Sequence, residues 1–234
     1  MSILISKSIV KLVNDNFKKI VYLRNDFEQK TDGSYVSKAD IFLQSILIKE
    51  MTSHFPDHQI ISEELKHEDY KWNDNGSYIV IDPIDGTENF ISGMKEWGIG
   101  ISVFSRGQHV YSFIHLPELN ETIDDVMELD RFESRISGIS SSLSFHDLKK
   151  LKFQSYEYRI TGCSMYNMFC AITGRFKNFE NVKGVNCWDI LPGLNIALKN
   201  DIPAWVNNVK YTGQLLFPNQ KYKIRIGYDF ARTN

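Results

Sequence analysis

Residues 82–90 read Asp82-Pro83-Ile84-Asp85-Gly86-Thr87-Glu88-Asn89-Phe90, directly after the apolar run Tyr78-Ile79-Val80-Ile81. A short apolar run that ends at a carboxylate and a proline predicts a buried strand stopping at a sheet edge, where a site is presented. Proline fixes the local φ, and Gly86 allows a turn that other residues resist. Asp82 and Asp85 can then converge on one hard cation, with the Ile84 carbonyl between them adding a neutral oxygen. Carboxylate and carbonyl oxygens suit Mg²⁺. Gly86 and Thr87 add backbone N–H groups and a hydroxyl for a phosphate. An isolated Asp-x-x-Asp is more often a solvated turn; the specificity lies in the whole nine-residue string.

On the N-terminal side, Ile5, Ile9, Leu12, Val13, Phe17, Ile20 and Leu23 recur at helical spacing. Lys30-Thr31-Asp32-Gly33-Ser34 predicts a turn, and Ala39 to His54 a second helix ended by Phe55-Pro56-Asp57. Ile60-Ile61 predicts a short strand entering Ser62-Glu63-Glu64. On the C-terminal side, Trp97, Ile99, Ile101 and Val103 alternate with Gly98, Gly100 and Ser102, a period of two, and Val110 to His115 can return as the hairpin partner. Residues 117–158 carry mixed charge, a Ser140-Ser141-Ser142 run and no strong period. Ser164 to Thr173 reads as a helix closed by Gly174, and Trp188 to Lys199 as another with Pro192 in its first turn. Ala204–Val206, Leu215–Phe217 and Lys223–Tyr228 predict short closing strands. Helices covering sheets make a mixed α/β chain without internal repeat or linker.

Composition narrows the function classes. The 234 residues hold 27 Lys+Arg against 29 Asp+Glu, so no electrostatic case exists for a nucleic-acid or membrane partner. Lys7, Lys11, Lys18 and Lys19 interrupt the apolar N-terminus, so no signal peptide is expected. Cys163, Cys170 and Cys187, odd in number and without CxxC spacing, predict reduced thiols in a cytoplasmic protein rather than a disulfide framework or zinc site. The six histidines, His54, His58, His67, His109, His115 and His146, lack HxH or HExxH spacing, and neither Gly-x-Ser-x-Gly nor a P-loop occurs.

The string from Asp82 to Phe90 resembles the signature of the inositol monophosphatase family, in the Mg²⁺-dependent, lithium-sensitive phosphatase superfamily with fructose-1,6-bisphosphatase and bisphosphate nucleotidase. Val36-Ser37-Lys38-Ala39-Asp40, Ser62-Glu63-Glu64 and Asn186-Cys187-Trp188-Asp189-Ile190 resemble further family segments in the same order. Arg159-Ile160-Thr161-Gly162-Cys163-Ser164 resembles a segment that lines the substrate site. The resemblance implies an α+β fold of layered αβαβα sugar-phosphatase type, with mixed sheets sandwiched by helices. It implies an N-terminal α+β lobe, residues 1–116, carrying most metal ligands, and a trimmed C-terminal α/β lobe, residues 117–234, closing the active site. A homodimer is left open.

The same resemblance implies that Glu63, Asp82, the Ile84 carbonyl, Asp85 and Asp189 bind two or three Mg²⁺ ions, with Mn²⁺ as a substitute. Glu63, Asp40 and Thr87 would activate the attacking water. Asp85, Gly86, Thr87, Gly162, Cys163, Ser164, Glu180 and Asp189 would contact a small phosphorylated substrate, although Glu180 stands two residues further from Asp189 than the pattern expects. Cys163 reads as a lining residue, not a nucleophile. Lys30 stands one place out of register with the family's mobile-loop lysine. The implied activity is hydrolysis of a sugar, inositol or polyol phosphate by direct water attack. A 3′(2′),5′-bisphosphate nucleotidase, a fructose-1,6-bisphosphatase and a non-enzymatic phosphate-binding or regulatory module are the alternatives.

Overall fold

The computed structural model describes residues 2–66, 71–150 and 157–228; His67 lies outside them. Helix α1 (Ser2–Leu23) and a hairpin of β1 (Phe27–Gln29) and β2 (Tyr35–Ser37) lead into α2 (Lys38–His54). The hairpin turn closes through Lys30 N donating to Ser34 O at 2.7 Å. A five-stranded sheet follows, built from β3 (Gln59–Ser62), β4 (Tyr78–Asp85), β5 (Gly98–Ser105), β6 (Gln108–Leu116) and β7 (Glu121–Asp124), with the short helix α3 (Thr87–Ile91) between β4 and β5. The strands lie in that order, β3 and β4 parallel and the others antiparallel.

The remaining elements are β8 (Ile136–Ile139), α4 (Phe145–Lys150), β9 (Glu157–Arg159), α5 (Ser164–Ile172), β10 (Asn178–Val185), α6 (Cys187–Lys199), β11 (Ala204–Val206), β12 (Val209–Lys210) and β13 (Tyr222–Gly227). Their six strands form one sheet in the order β12-β11-β13-β10-β8-β9, parallel where β10 meets β8 and β8 meets β9. Parallel neighbours need a crossover, and α4 lies in the one from β8 to β9.

Two apolar clusters hold the layers together. Ile79 and Ile81 of β4 join Ile99, Ile101 and Val103 of β5 against Ile5, Ile9 and Val13 of α1 and Leu43 and Leu47 of α2. Tyr78 and Val80, pointing the other way, pack with Met165, Met168, Leu191 and Leu194 of α5 and α6, which in turn meet Phe179, Ile224 and Ile226 of the second sheet. Helices α5 and α6 are therefore the filling between two sheets, and α1 and α2 cover the outer face of the first. This is the layered α+β arrangement expected.

The alternation in β5 now has a physical meaning. Its small residues do not face water: a side chain at Gly100 would come within 2.2 Å of Met165 Cε and 2.9 Å of Pro192 Cγ. Three readings need correction. Strand β4 does not stop at Asp82-Pro83 but continues to Asp85, because a bulge absorbs the residue that cannot donate to the ladder. Pro192 sits inside α6 rather than in its first turn, its ring turned onto β5 at Gly100. Leu215–Phe217 is not a strand; Leu215 and Leu216 are buried, and the Tyr222 hydroxyl is hydrogen-bonded to both Phe217 N and Phe217 O, satisfying that backbone without a ladder. Filling the space at Gly100 tests the layer contact: Gly100→Val should cost about 1–3 kcal/mol of stability in urea unfolding, and an unchanged midpoint would show that α5 and α6 do not press on β5.

Candidate metal and phosphate site

In β4, Asp82 pairs with Gly100 and Asp85 with Gly98, so the Asp82–Asp85 segment holds one residue more than its partner. That bulge turns the end of the strand and aims its carboxylates at the neighbouring elements. Asp82 is fully buried; Ile84 N donates to its Oδ1 at 3.1 Å, and no donor among the described residues reaches its Oδ2. After the strand, Gly86 takes φ +83° to start α3 at Thr87.

Two acids are delivered by one device used twice. Ser37 and Asp40 form a capping box on α2, and Asn186 and Asp189 form another on α6. Asp40 Oδ2 accepts from Ser37 N at 2.7 Å and Ser37 Oγ at 2.6 Å, leaving Oδ1 for the Thr87 hydroxyl at 3.3 Å. Asp189 Oδ2 accepts from Asn186 N at 2.8 Å. Each box uses one carboxylate oxygen to hold the helix start and leaves the other to the site, where Asp40 Oδ1 meets Thr87. Glu63 follows β3, where Gln44 of α2 accepts from Ser62 Oγ at 2.5 Å and Glu64 N at 3.2 Å.

Glu63, Asp82 and Asp189, one from each of three distant segments, bring carboxylate oxygens within 4.8 Å of one another. Asp85 stands beside this trio but is committed elsewhere: Met165 N donates to its Oδ2 at 2.5 Å, and the Cys163 thiol donates to the same oxygen at 3.1 Å. The start of α5 thus grips the end of β4. Glu63, Ile84, Asp85, Gly86, Thr87 and Asp189 all line one cleft of about 570 Å³, which Gly162 also borders. Gly162, Cys163 and Ser164 line an adjoining cavity of about 220 Å³ with Asp85 and Asp189. Glu180 is not brought there. Phe179 and Asn181 on either side of it line the cavity, while Glu180 pairs across the sheet with Arg225.

The crowding sets the electrostatics. Burial, then the charges of Glu63, Asp85 and Asp189, raise the Asp82 carboxyl well above its ordinary range. Burial and Asp189 push Glu63 up to about 8, and burial and Asp85 push Asp189 to about 7. Burial takes Asp85 to about 6 against the hydrogen bonds from α5, and Asp40 to about 6 against those from Ser37. Lys30, one place out of register with the family's mobile-loop lysine, reaches Glu64 at 2.6 Å and Glu63 at 3.4 Å. Its position in the β1–β2 turn, not its register, brings it there. Gln44 was missed by sequence reasoning; its signal is a polar residue on the apolar face of a helix.

An all-oxygen donor set with one unclaimed buried oxygen and mutual repulsion fits a hard divalent cation. The folded-state values of these acids are raised, so their contribution to stability is present at low pH and is lost as the pH climbs through about 6 to 8. A divalent cation reverses that loss. The rise in melting temperature on adding MgCl₂ should therefore be larger near pH 8 than near pH 5.5; equal rises at both would mean that Mg²⁺ does not engage these carboxylates.

A sequence model of the inositol monophosphatase family matches residues 3–198. A 3′(2′),5′-bisphosphate nucleotidase CysQ of Haemophilus influenzae is 30% identical over 113 residues, 48% of this chain and 42% of that protein. The chain thus spans less than half the length of that curated relative. The fructose-1,6-bisphosphatase/inositol-1-monophosphatase of Thermotoga maritima is 27% identical over 192 residues, 74% of this chain and 72% of that one. Among solved structures, a lithium-soaked staphylococcal inositol monophosphatase-1 superposes with a TM-score of 0.77 at 17% identity, covering 94% of this chain and 87% of its own. Among the described residues, no helix is long and apolar enough to cross a membrane.

Proposed function

The chain belongs to the inositol monophosphatase family, and we propose that it is a Mg²⁺-dependent phosphomonoesterase acting on a small sugar, inositol or polyol phosphate by direct attack of water. The observation that carries this reading is that Glu63, Asp82 and Asp189 bring carboxylate oxygens within 4.8 Å of one another, while no donor among the described residues reaches Asp82 Oδ2. Glu63, Asp82, Asp85, Asp189 and the Ile84 carbonyl would hold two or three Mg²⁺ ions, or Mn²⁺ in their place. Bound there, the metal supplies neutralisation of phosphate charge and a lowered pKa for water.

The chain's own residues supply the positioning. The Thr87 hydroxyl has one hydrogen and two acceptors in reach, Ile84 O at 3.1 Å and Asp40 Oδ1 at 3.3 Å. With Asp40 accepting that hydrogen, the hydroxyl lone pairs would accept one hydrogen bond from the attacking water, and Glu63, which lines the same cleft, would take the water's other proton. Gly86 has no room for a side chain, since a Cβ there would come within 2.9 Å of Cys163 Cβ, so the turn before Thr87 packs directly on the start of α5. The Cys163 thiol is held above its ordinary pKa by burial and by Asp85, which suits a wall residue and not a nucleophile. The N-terminal lobe, residues 1–116, would carry most of the ligands, and the remainder would close over the leaving group.

A second reading, a bisphosphate nucleotidase, is favoured by the 30% identity to the Haemophilus influenzae protein. Phosphate release from inositol, sugar, glycerol and nucleotide phosphates, measured with Mg²⁺, EDTA and Li⁺, separates the two. The expected outcome is Mg²⁺-dependent turnover that lithium inhibits. Thr87→Ala should lower kcat about 10²–10⁴-fold, and Asp82→Asn about 100-fold or more, with the circular-dichroism spectrum unchanged. Turnover that survives EDTA, or Asp82→Asn at wild-type rate, would overturn the assignment, and the absence of turnover throughout would favour a binding or regulatory protein.

A further inference from the structure

The adjoining cavity of about 220 Å³ has a wall that the hydrolytic machinery does not use. Ser140, Ser141 and Ser142 come from the turn after β8, and Asn181 and Lys183 from β10. The strand is remodelled to make that wall. Asn181 pairs with Ile224 and Val185 with Tyr222, so β10 carries two residues more than β13 between those pairs. Asn181 Oδ1 accepts from Lys183 N and Gly184 N, both at 3.0 Å, and Gly184 adopts φ +94°. The bulge is therefore closed from inside, and it brings Lys183 to the cavity.

Lys183 is the one cation among the described residues of this wall. Its partner is Asp147 at 3.2 Å, an exposed contact that contributes little and is readily exchanged. Asp147 does not depend on it, since Ser144 N at 2.9 Å and Ser144 Oγ at 2.6 Å already donate to the same oxygen. Ser140 lines the cavity at 4% exposure, and its hydroxyl has no hydrogen-bond partner among the described residues. A buried hydroxyl without a partner is costly unless something else meets it.

We propose that this cavity receives the alcohol half of the substrate and that this half carries a second anionic group, matched by Lys183 with hydroxyl support from the 140–142 turn. The inference rests on the phosphatase reading, since Asp85 and Asp189 are shared between the cavity and the acidic site. Lys183 becomes a specificity-determining residue, and the preferred substrate is a phosphate ester bearing a second phosphate or a carboxylate.

Two matched pairs test it: fructose 1,6-bisphosphate against fructose 1-phosphate, and 2-phosphoglycerate against glycerol 2-phosphate. In wild-type protein with Mg²⁺, the doubly anionic member of at least one pair should have the higher kcat/KM, by about tenfold as one good charge contact allows; which pair responds identifies the second anion. Lys183→Gln should bring that ratio close to one, and Lys183→Glu should invert it. Equal kcat/KM within both pairs for wild-type protein, or a ratio that Lys183→Gln leaves intact, overturns the proposal. If no ester turns over, the phosphatase reading falls, and calorimetric binding of the same four compounds with Mg²⁺ still decides the cavity: tighter binding of a doubly anionic member that Lys183→Gln abolishes supports it, and equal binding within each pair refutes it.

Discussion

Asp82 keeps a carboxylate in the interior with one oxygen that no donor among the described residues reaches, and carboxylate oxygens of Glu63 and Asp189 lie within 4.8 Å of its own. Burying one unpaired charge is expensive, and burying like charges together is more so. Either protons or a cation must relieve the cluster, and much of the surrounding structure can be understood as holding the acids together against their repulsion. Lys30 is positioned to relieve only Glu63 and Glu64, from the β1–β2 turn. The strain is thus concentrated where a hard cation would remove it.

The scaffold resists that repulsion by spending hydrogen bonds on one side of each acid. Capping boxes on α2 and α6 fix Asp40 and Asp189, and the start of α5 fixes Asp85. Because α5 and α6 lie between the two sheets, residues separated by a hundred positions along the chain are held in one frame with the end of β4. The glycines of β5 let those helices sit close, so the packing of the layers and the geometry of the site are the same problem. A change in the inter-sheet layer would be felt as a shift in Asp85 and Asp189.

Much of this frame was legible from local pattern. The apolar run before Asp82, the alternation in β5 and the helical spacing before and after the site each state their element, and four ordered motifs bring Glu63 and Asp189 toward Asp82. What was not legible depends on pairing between strands. The bulge that carries β4 through Pro83 and the larger one at Asn181–Val185 exist only relative to partners, so the expected role of Glu180 gave no warning that Lys183 would stand at the cavity instead. Leu215–Phe217 has strand-like residues, but its backbone is satisfied by a tyrosine hydroxyl, which propensity does not register. The capping boxes were readable as Ser-x-x-Asp and Asn-x-x-Asp, yet the pattern alone does not say that the acid also faces a cleft.

An anomalous difference map from a crystal soaked in Mn²⁺ tests the central claim most directly. The expected result is a peak bounded by Glu63, Asp82 and Asp189, with Asp82 Oδ2 among its ligands. A soaked crystal with no peak there, or with Mn²⁺ bound only elsewhere on the molecule, would contradict the account.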